Sequence, residues 1–176
     1  FSFSVSISNV TTNDKNTVIS SSLSTLPVII NKAAYCNLKS GIPSNSQLIS
    51  NRAGWIINVE EGVEGAPNNL IDGKTGTDVA LNNKGFWFTV DLGEAKVLTG
   101  IKTNHWANAY APREVEILQS ENGTTWKSLS SLAISPGGTQ NITFISPITT
   151  RYLKYQIITI STNGRTDVTE FNVYEP

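Results

Sequence analysis

Methionine is absent from this chain of 176 residues, cysteine and histidine occur once each, and charged side chains make up only 15%. Each shortage excludes something. The single Cys36 cannot close an intramolecular disulfide, so the fold is held by packing, with or without a metal, and the chain is not a bridge-stapled extracellular module. One histidine and one cysteine leave little room for a cysteine-protease constellation. No window approaches about eighteen consecutive apolar residues, so no transmembrane segment is expected. Lys and Arg number 13 against 14 Asp and Glu, a net charge of -1. That balance lacks the basic footprint a phosphate backbone requires, so nucleic acid is not an expected partner. With no methionine and Phe1 at its start, the chain reads as a processed product or an excised fragment whose targeting signal would lie outside it.

What is abundant is Ser, Thr and Asn, and low charge with such polarity is common in secreted all-β proteins. Phe1, Phe3, Val5 and Ile7 alternate with serines as a period-2 strand, and Leu26 to Ile30 form an apolar run that Pro27 assigns to a sheet edge or start. Residues 1–47 thus offer two or three strands, too few for a core of their own. Either they dock on the strands C-terminal to them or they are the remnant of an upstream domain. From Leu48 onward strands and turns succeed one another, with no helical period sustained over about ten residues and no internal repeat. Trp55 to Val59 is one strand. Phe86, Phe88 and Val90 share one face and Trp87, Thr89 and Asp91 the other; Asp91-Leu92-Gly93 supplies turn chemistry before a second run from Val97 to Thr103. Val115 with Ile117, Ile142 with Phe144, and Leu153 with Tyr155 and Ile157 mark further strands, and Val168 to Tyr174 closes the chain. Short strands between Gly, Pro and Asn turns indicate an all-β chain forming an antiparallel β-sandwich over residues 48–176.

The segments WIINVEE, NNLIDGKTGT, FWFTVDLGEAKVLTGIKT, PREVEILQSENGTTWKSL, TRYLKY and TEFNVYE occur in the order found in the discoidin, or coagulation-factor type C, domain. From Leu48 to Glu175 the chain resembles that galactose-binding-like family, whose bacterial members include the family thirty-two carbohydrate-binding modules. The resemblance implies an eight-stranded antiparallel jelly roll with its ligand site on loops at one end, here with extra N-terminal strands. It also implies a structural calcium beside those loops. The matching positions are the carbonyls of Asn69, Lys74 and Thr169 and the side chains of Asp72, Thr77 and Glu170, hard oxygen donors suited to that cation. Many members carry Trp-His just after the Thr77 position, whereas this chain has Asp78-Val79-Ala80.

Sugar recognition needs a flat aromatic face for the C–H side of a pyranose and directional groups for its hydroxyls. The loop from Asn104 to Arg113 holds both kinds. Trp106 or Tyr110 can supply the platform, His105, Asn108 and Arg113 the hydrogen bonds, and Asn82 and Asn83 are additional candidates in a neighbouring loop. Trp55, Trp87 and Trp126 are assigned to core or rim. No nucleophile is paired with a base, and the acidic turn of Glu60, Glu61 and Glu64 has no informative carboxylate spacing, so an enzyme is not expected. The expectation is a non-catalytic module that binds a terminal sugar of galactose type. It would be monomeric and covalently linked to other domains of a secreted, periplasmic or cell-surface bacterial protein. An adhesion module for phospholipid or protein, or an architectural domain with no ligand, stays open beside it.

Overall fold

The structure, a computed structural model, describes residues 37–176. The strands expected at Phe1 to Ile7 and Leu26 to Ile30, and Cys36, lie outside the described residues. The described residues form strands β1 (Leu38–Ser40), β2 (Gln47–Leu48), β3 (Ile56–Val59), β4 (Val79–Asn82), β5 (Trp87–Asn104), β6 (Glu114–Ser120), β7 (Lys127–Ala133), β8 (Thr139–Thr159), β9 (Arg165–Val168) and β10 (Glu170–Glu175). One 3-10 turn, Pro67–Leu70, precedes β4. Every ladder is antiparallel.

Two long strands make the sandwich. β5 and β8 pair from Trp87↔Gln156 to Asp91↔Tyr152 and again from Lys96↔Thr150 to Asn104↔Thr139, with the register broken between. The first arms carry β3 on one side and β6 with β7 on the other, while the second arms carry β10 with β2, and β1. One hydrogen-bonded sheet therefore folds into two facing layers. Phe88 of the first layer stacks on Tyr155 beside it at 5.1 Å and meets Phe171 of the second layer edge-on at 5.2 Å. All three rings are fully buried, each contributing about 1.5–3 kcal/mol through lost apolar exposure.

The sequence pattern predicts two strands separated by a turn at Asp91-Leu92-Gly93, and the turn is there, but as a bend within one strand. Asp91 Oδ1 accepts the Gly93 N–H at 2.8 Å, and Gly93 takes φ +82°, which only glycine adopts without strain. Arg151 then clamps the Asp91 carboxylate through two 2.8 Å bonds. Since β8 bends at the same level, the ladder resumes with the same partner and the strand continues.

The bend brings both arms back to one end of the sandwich. There the 105–113 and 160–169 connections cross from one layer to the other, and β4 pairs with β9 as a separate two-stranded ribbon. The predicted strand from Val168 to Tyr174 is in fact two, because Thr169 leaves the ribbon and joins Asn104 through its amide at 2.8 Å. At the other margin of the domain, β1 pairs with β8 and β2 with β10, so strands from residue 38 onward are part of the sandwich.

Candidate functional site

His105 turns inward where β5 ends. Its amide donates to Gly138 O at 2.9 Å, its Nδ1 lies 2.6 Å from Asp167 O, and its Nε2 lies 3.0 Å from the Thr103 hydroxyl. A carbonyl can only accept, so Nδ1 carries a proton and the Thr103 hydroxyl donates to Nε2. The residue is 5% exposed with both ring nitrogens engaged. Expected among the groups that reach a ligand, His105 instead pins the loop to β9, because burial has committed both nitrogens to protein partners.

Trp106, next in sequence, is 59% exposed. Its N–H donates to Asp167 Oδ1 at 3.3 Å, so the backbone below the indole is tied to a buried carboxylate while the ring faces water. A loop turn closed by the Tyr110 N–H to Ala107 O leaves Tyr110 half-buried, and its carbonyl takes the Asp167 N–H at 3.2 Å. Asn108 is exposed, yet its Oδ1 accepts the Gly138 N–H at 2.8 Å. Arg113 donates from Nη2 to Thr162 Oγ1 at 3.0 Å, and its buried Nε has no partner. His105, Trp106, Asn108, Tyr110 and Arg113 thus share one loop, but among them Trp106 alone presents a large bare face.

The strand partners supply what sequence reasoning missed. Asp167 is fully buried; besides Trp106 it faces His105 Nδ1 at 3.6 Å, and its Oδ2 stands 3.7 Å from Arg165 Nη1 without a hydrogen bond. Arg165 reaches Asp78 at 2.9 Å and Glu64 at 3.6 Å. These carboxylates prevail over burial, which would lower the pKa, and hold the guanidinium pKa above its ordinary value. The β4–β9 register sets Asn82 opposite Arg165, and Asn82 Nδ2 donates to Glu64 Oε1 at 3.1 Å. Asn83 adopts φ +56° and donates its N–H to Gly164 O at 2.6 Å, closing the ribbon. Asn82 and Asn83 therefore join the Trp106 loop through Arg165 and Asp167. Nothing local in Gly164-Arg165-Thr166-Asp167 signals this; only the pairing with β4 does.

The expected calcium donors gather partly. Asp72 accepts from the Lys74 N–H and the Thr77 hydroxyl, each at 2.8 Å, and Thr77 Oγ1 also lies 3.4 Å from Lys74 O. Glu170 accepts from the Gly73 N–H and from Arg52, the latter at 2.6 Å. Burial works to raise the Asp72 pKa, but the Lys74 amide, the Thr77 hydroxyl, the Lys74 charge and the Glu170 carboxyl outweigh it and hold the pKa low. Thr169 Oγ1 is buried without a partner, and Asn69 donates from Nδ2 to Asp78 O at 2.8 Å. Among the described residues no three His, Cys, Asp or Glu side chains cluster as a metal group. The donors here comprise two carboxylates, a hydroxyl and carbonyls, an oxygen-only set that suits a hard cation.

A cleft of about 350 Å³ lies elsewhere, where Gln119, Glu121, Thr125 and Lys127 meet Thr149. It has no aromatic wall, whereas the Trp106 end has the platform and the charged groups. Among the described residues no helix is long and apolar enough to cross a membrane.

The pattern of the family described as F5/8 type C domain matches residues 50–171. No curated protein sequence matches the chain. Among solved structures, a family 32 carbohydrate-binding module from C. perfringens NanJ, in complex with galactose, is 22% identical with a TM-score of 0.62, covering 74% of this chain and 99% of its own. An F5/8 type C domain from Bacteroides fragilis is 20% identical with a TM-score of 0.63, covering 76% and 98%. A family 89 glycoside hydrolase from Clostridium perfringens is 22% identical with a TM-score of 0.59, over 69% of this chain and only 14% of the hydrolase. At these identities the likeness speaks for the fold.

Proposed function

The chain belongs to the F5/8 type C domain family, and on that premise we propose that it is a non-catalytic carbohydrate-binding module that takes a terminal sugar, of galactose type, at the Trp106 end of its sandwich. The observation that carries this reading is an indole 59% exposed on a loop that buried hydrogen bonds hold in place. An indole held facing water by a fixed backbone is a flat platform, and the C–H face of a pyranose fits it. Tyr110, Asn108 and Arg113 on the same loop and Asn82 and Asn83 on the neighbouring ribbon are the polar candidates, to which Arg165 and Glu64 are added. His105 is a positioning residue, acting through the loop it anchors.

Several further assignments belong to the same proposal. Asp72, Thr77 and Glu170 with the carbonyls of Asn69, Lys74 and Thr169 would hold a structural calcium, whose contribution is to cross-link the 68–78 loop to the start of β10. The pairing of β1 and β2 within the sandwich supports counting residues 38–48 with the domain. A setting in a larger secreted or surface-attached bacterial protein acting on glycans fits the hydrolase of which such a domain forms a small part. The carboxylates around Trp106 disfavour an anionic phospholipid surface.

A glycan array combined with calorimetry tests the site. Trp106→Ala is expected to weaken glycan binding at least about tenfold, since stacking and apolar cover on an aromatic ring are worth roughly 1–3 kcal/mol, while leaving thermal stability unchanged because the ring is exposed. Arg113→Ala is expected to weaken it less. Unchanged binding in both variants would sink the assignment.

A further inference from the structure

Charge at the Trp106 end is unbalanced. Arg165 brings one cation, and Asp78, Glu64 and Asp167 bring three carboxylates within 2.9, 3.6 and 3.7 Å of it. Trp106 and Arg165 flank the same Asp167 carboxylate, one through its amide and the other through its guanidinium. Asp167 is fully buried and its Oδ2 accepts no hydrogen bond, with Arg165 Nη1 3.7 Å away. Glu64 is the accessible member, with its side chain 55% exposed, and its Oε1 is oriented by the Asn82 amide. The other cation of this end, Arg113, is turned to the Thr162 hydroxyl.

We propose that this end of the domain sorts sugars by charge, accepting neutral hexoses, preferring amino sugars and rejecting sugar acids, with Glu64 as the residue that meets the ammonium group. The inference rests on the reading of the Trp106 end as a glycan site and adds the class of glycan it takes. A ring stacked on the indole carries its substituents toward the Arg165 cluster, where three carboxylates face one guanidinium. A carboxylate on the sugar is repelled there, and the one cation of the cluster, Arg165, already faces three carboxylates of the chain. An ammonium on the sugar meets the opposite condition. A unit charge brought within a few ångströms of such an excess in a water-like medium gains or loses roughly 1 kcal/mol, about five- to tenfold in affinity.

The test is calorimetry at low salt and about pH 6, where amine and carboxylate are both ionised, with matched neutral, amino and uronic sugars in the galacto and gluco series. The amino sugar is expected to bind at least about threefold more tightly than its parent and the uronic acid about tenfold more weakly, with both gaps closing at about 0.5 M salt. Glu64→Gln, which keeps the bond to Asn82, is expected to erase the gain of the amino sugar. A uronic acid that binds as tightly as its neutral parent, or an amino sugar whose affinity ignores both salt and Glu64→Gln, overturns charge sorting while leaving the glycan site standing. Absence of binding for all six sugars, or binding untouched by Trp106→Ala, overturns the glycan site and charge sorting with it.

Discussion

Asp167 illustrates how a residue with no exposed atom can govern an exposed one. Its backbone ties β9 to His105 and Tyr110, and its carboxylate takes the Trp106 N–H. Cutting the carboxylate away leaves that amide unpaired and leaves Arg165 with Asp78 and Glu64 only. Because Arg165 keeps its nearest partner, the expected loss is smaller than for a buried pair broken outright, about 2 kcal/mol for Asp167→Ala. Denaturant unfolding measures that loss. Faster hydrogen exchange at the Trp106 amide than in the rest of the loop separates a local release from general weakening; uniform protection with no loss of stability would contradict the role. The same residue shows what a sequence can and cannot display. Trp106 is legible as a candidate because an aromatic ring beside amides has a chemical meaning on its own. Asp167 is not, because its meaning comes from partners 61 and 62 residues away.

At the scale of elements, alternation makes the core faces legible. Phe86, Phe88 and Val90, and Leu153, Tyr155 and Ile157, are buried as their period predicts, since a half-buried strand leaves no other choice. The ribbon of β4 and β9 is not legible: Asp78-Val79-Ala80 and Arg165-Thr166-Asp167 show no alternation, for both are short and lean on the loops rather than on a broad core. The sequence pattern divides β5 in two because Asp91-Leu92-Gly93 has the chemistry of a turn, and only the matching bend of β8 makes it a fold in the sheet. The 68–78 loop presents a converse case, in which the residues match a metal set and the elements must bring it together. The loop and β10 do approach, since Glu170 accepts the N–H of Gly73, the residue after Asp72. With calcium in about hundredfold excess over its dissociation constant, one site would stabilise the fold by about 2.7 kcal/mol, a rise of a few degrees in Tm for a domain of this size. Thermal melts with calcium and with a chelator are expected to differ by that amount in the parent and to coincide in Asp72→Ala. Identical melts in the parent would remove calcium from the account.

For the whole molecule, what holds one layer to the other is an aromatic contact at its centre, and Tyr155 is the member with a proton to lose. Phe88 stacks on it and Phe171 meets it edge-on across the layers at 6.4 Å. Its hydroxyl is buried without a well-formed hydrogen bond, and burial, outweighing the nearby Thr103 hydroxyl that works to lower it, pushes the phenol pKa far above its ordinary value of 10.0. A pKa raised on folding means that the unfolded chain gives up the proton first as pH climbs. The stability tied to neutral Tyr155 is therefore complete below about pH 10 and drains away above it, as the unfolded state ionises and the folded state does not. The fold cannot relieve this locally, because the ring touches both layers and exposing it separates them. Alkaline unfolding is expected to be a single transition, seen alike by tryptophan fluorescence and far-ultraviolet circular dichroism, with its onset above about pH 10. Tyr155→Phe removes the ionisable group and an unpaired hydroxyl while keeping the ring. It is expected to leave stability at neutral pH unchanged or slightly higher and to shift the onset of alkaline unfolding upward. An onset that stays put in Tyr155→Phe would mean that groups other than this core phenol set the alkaline limit.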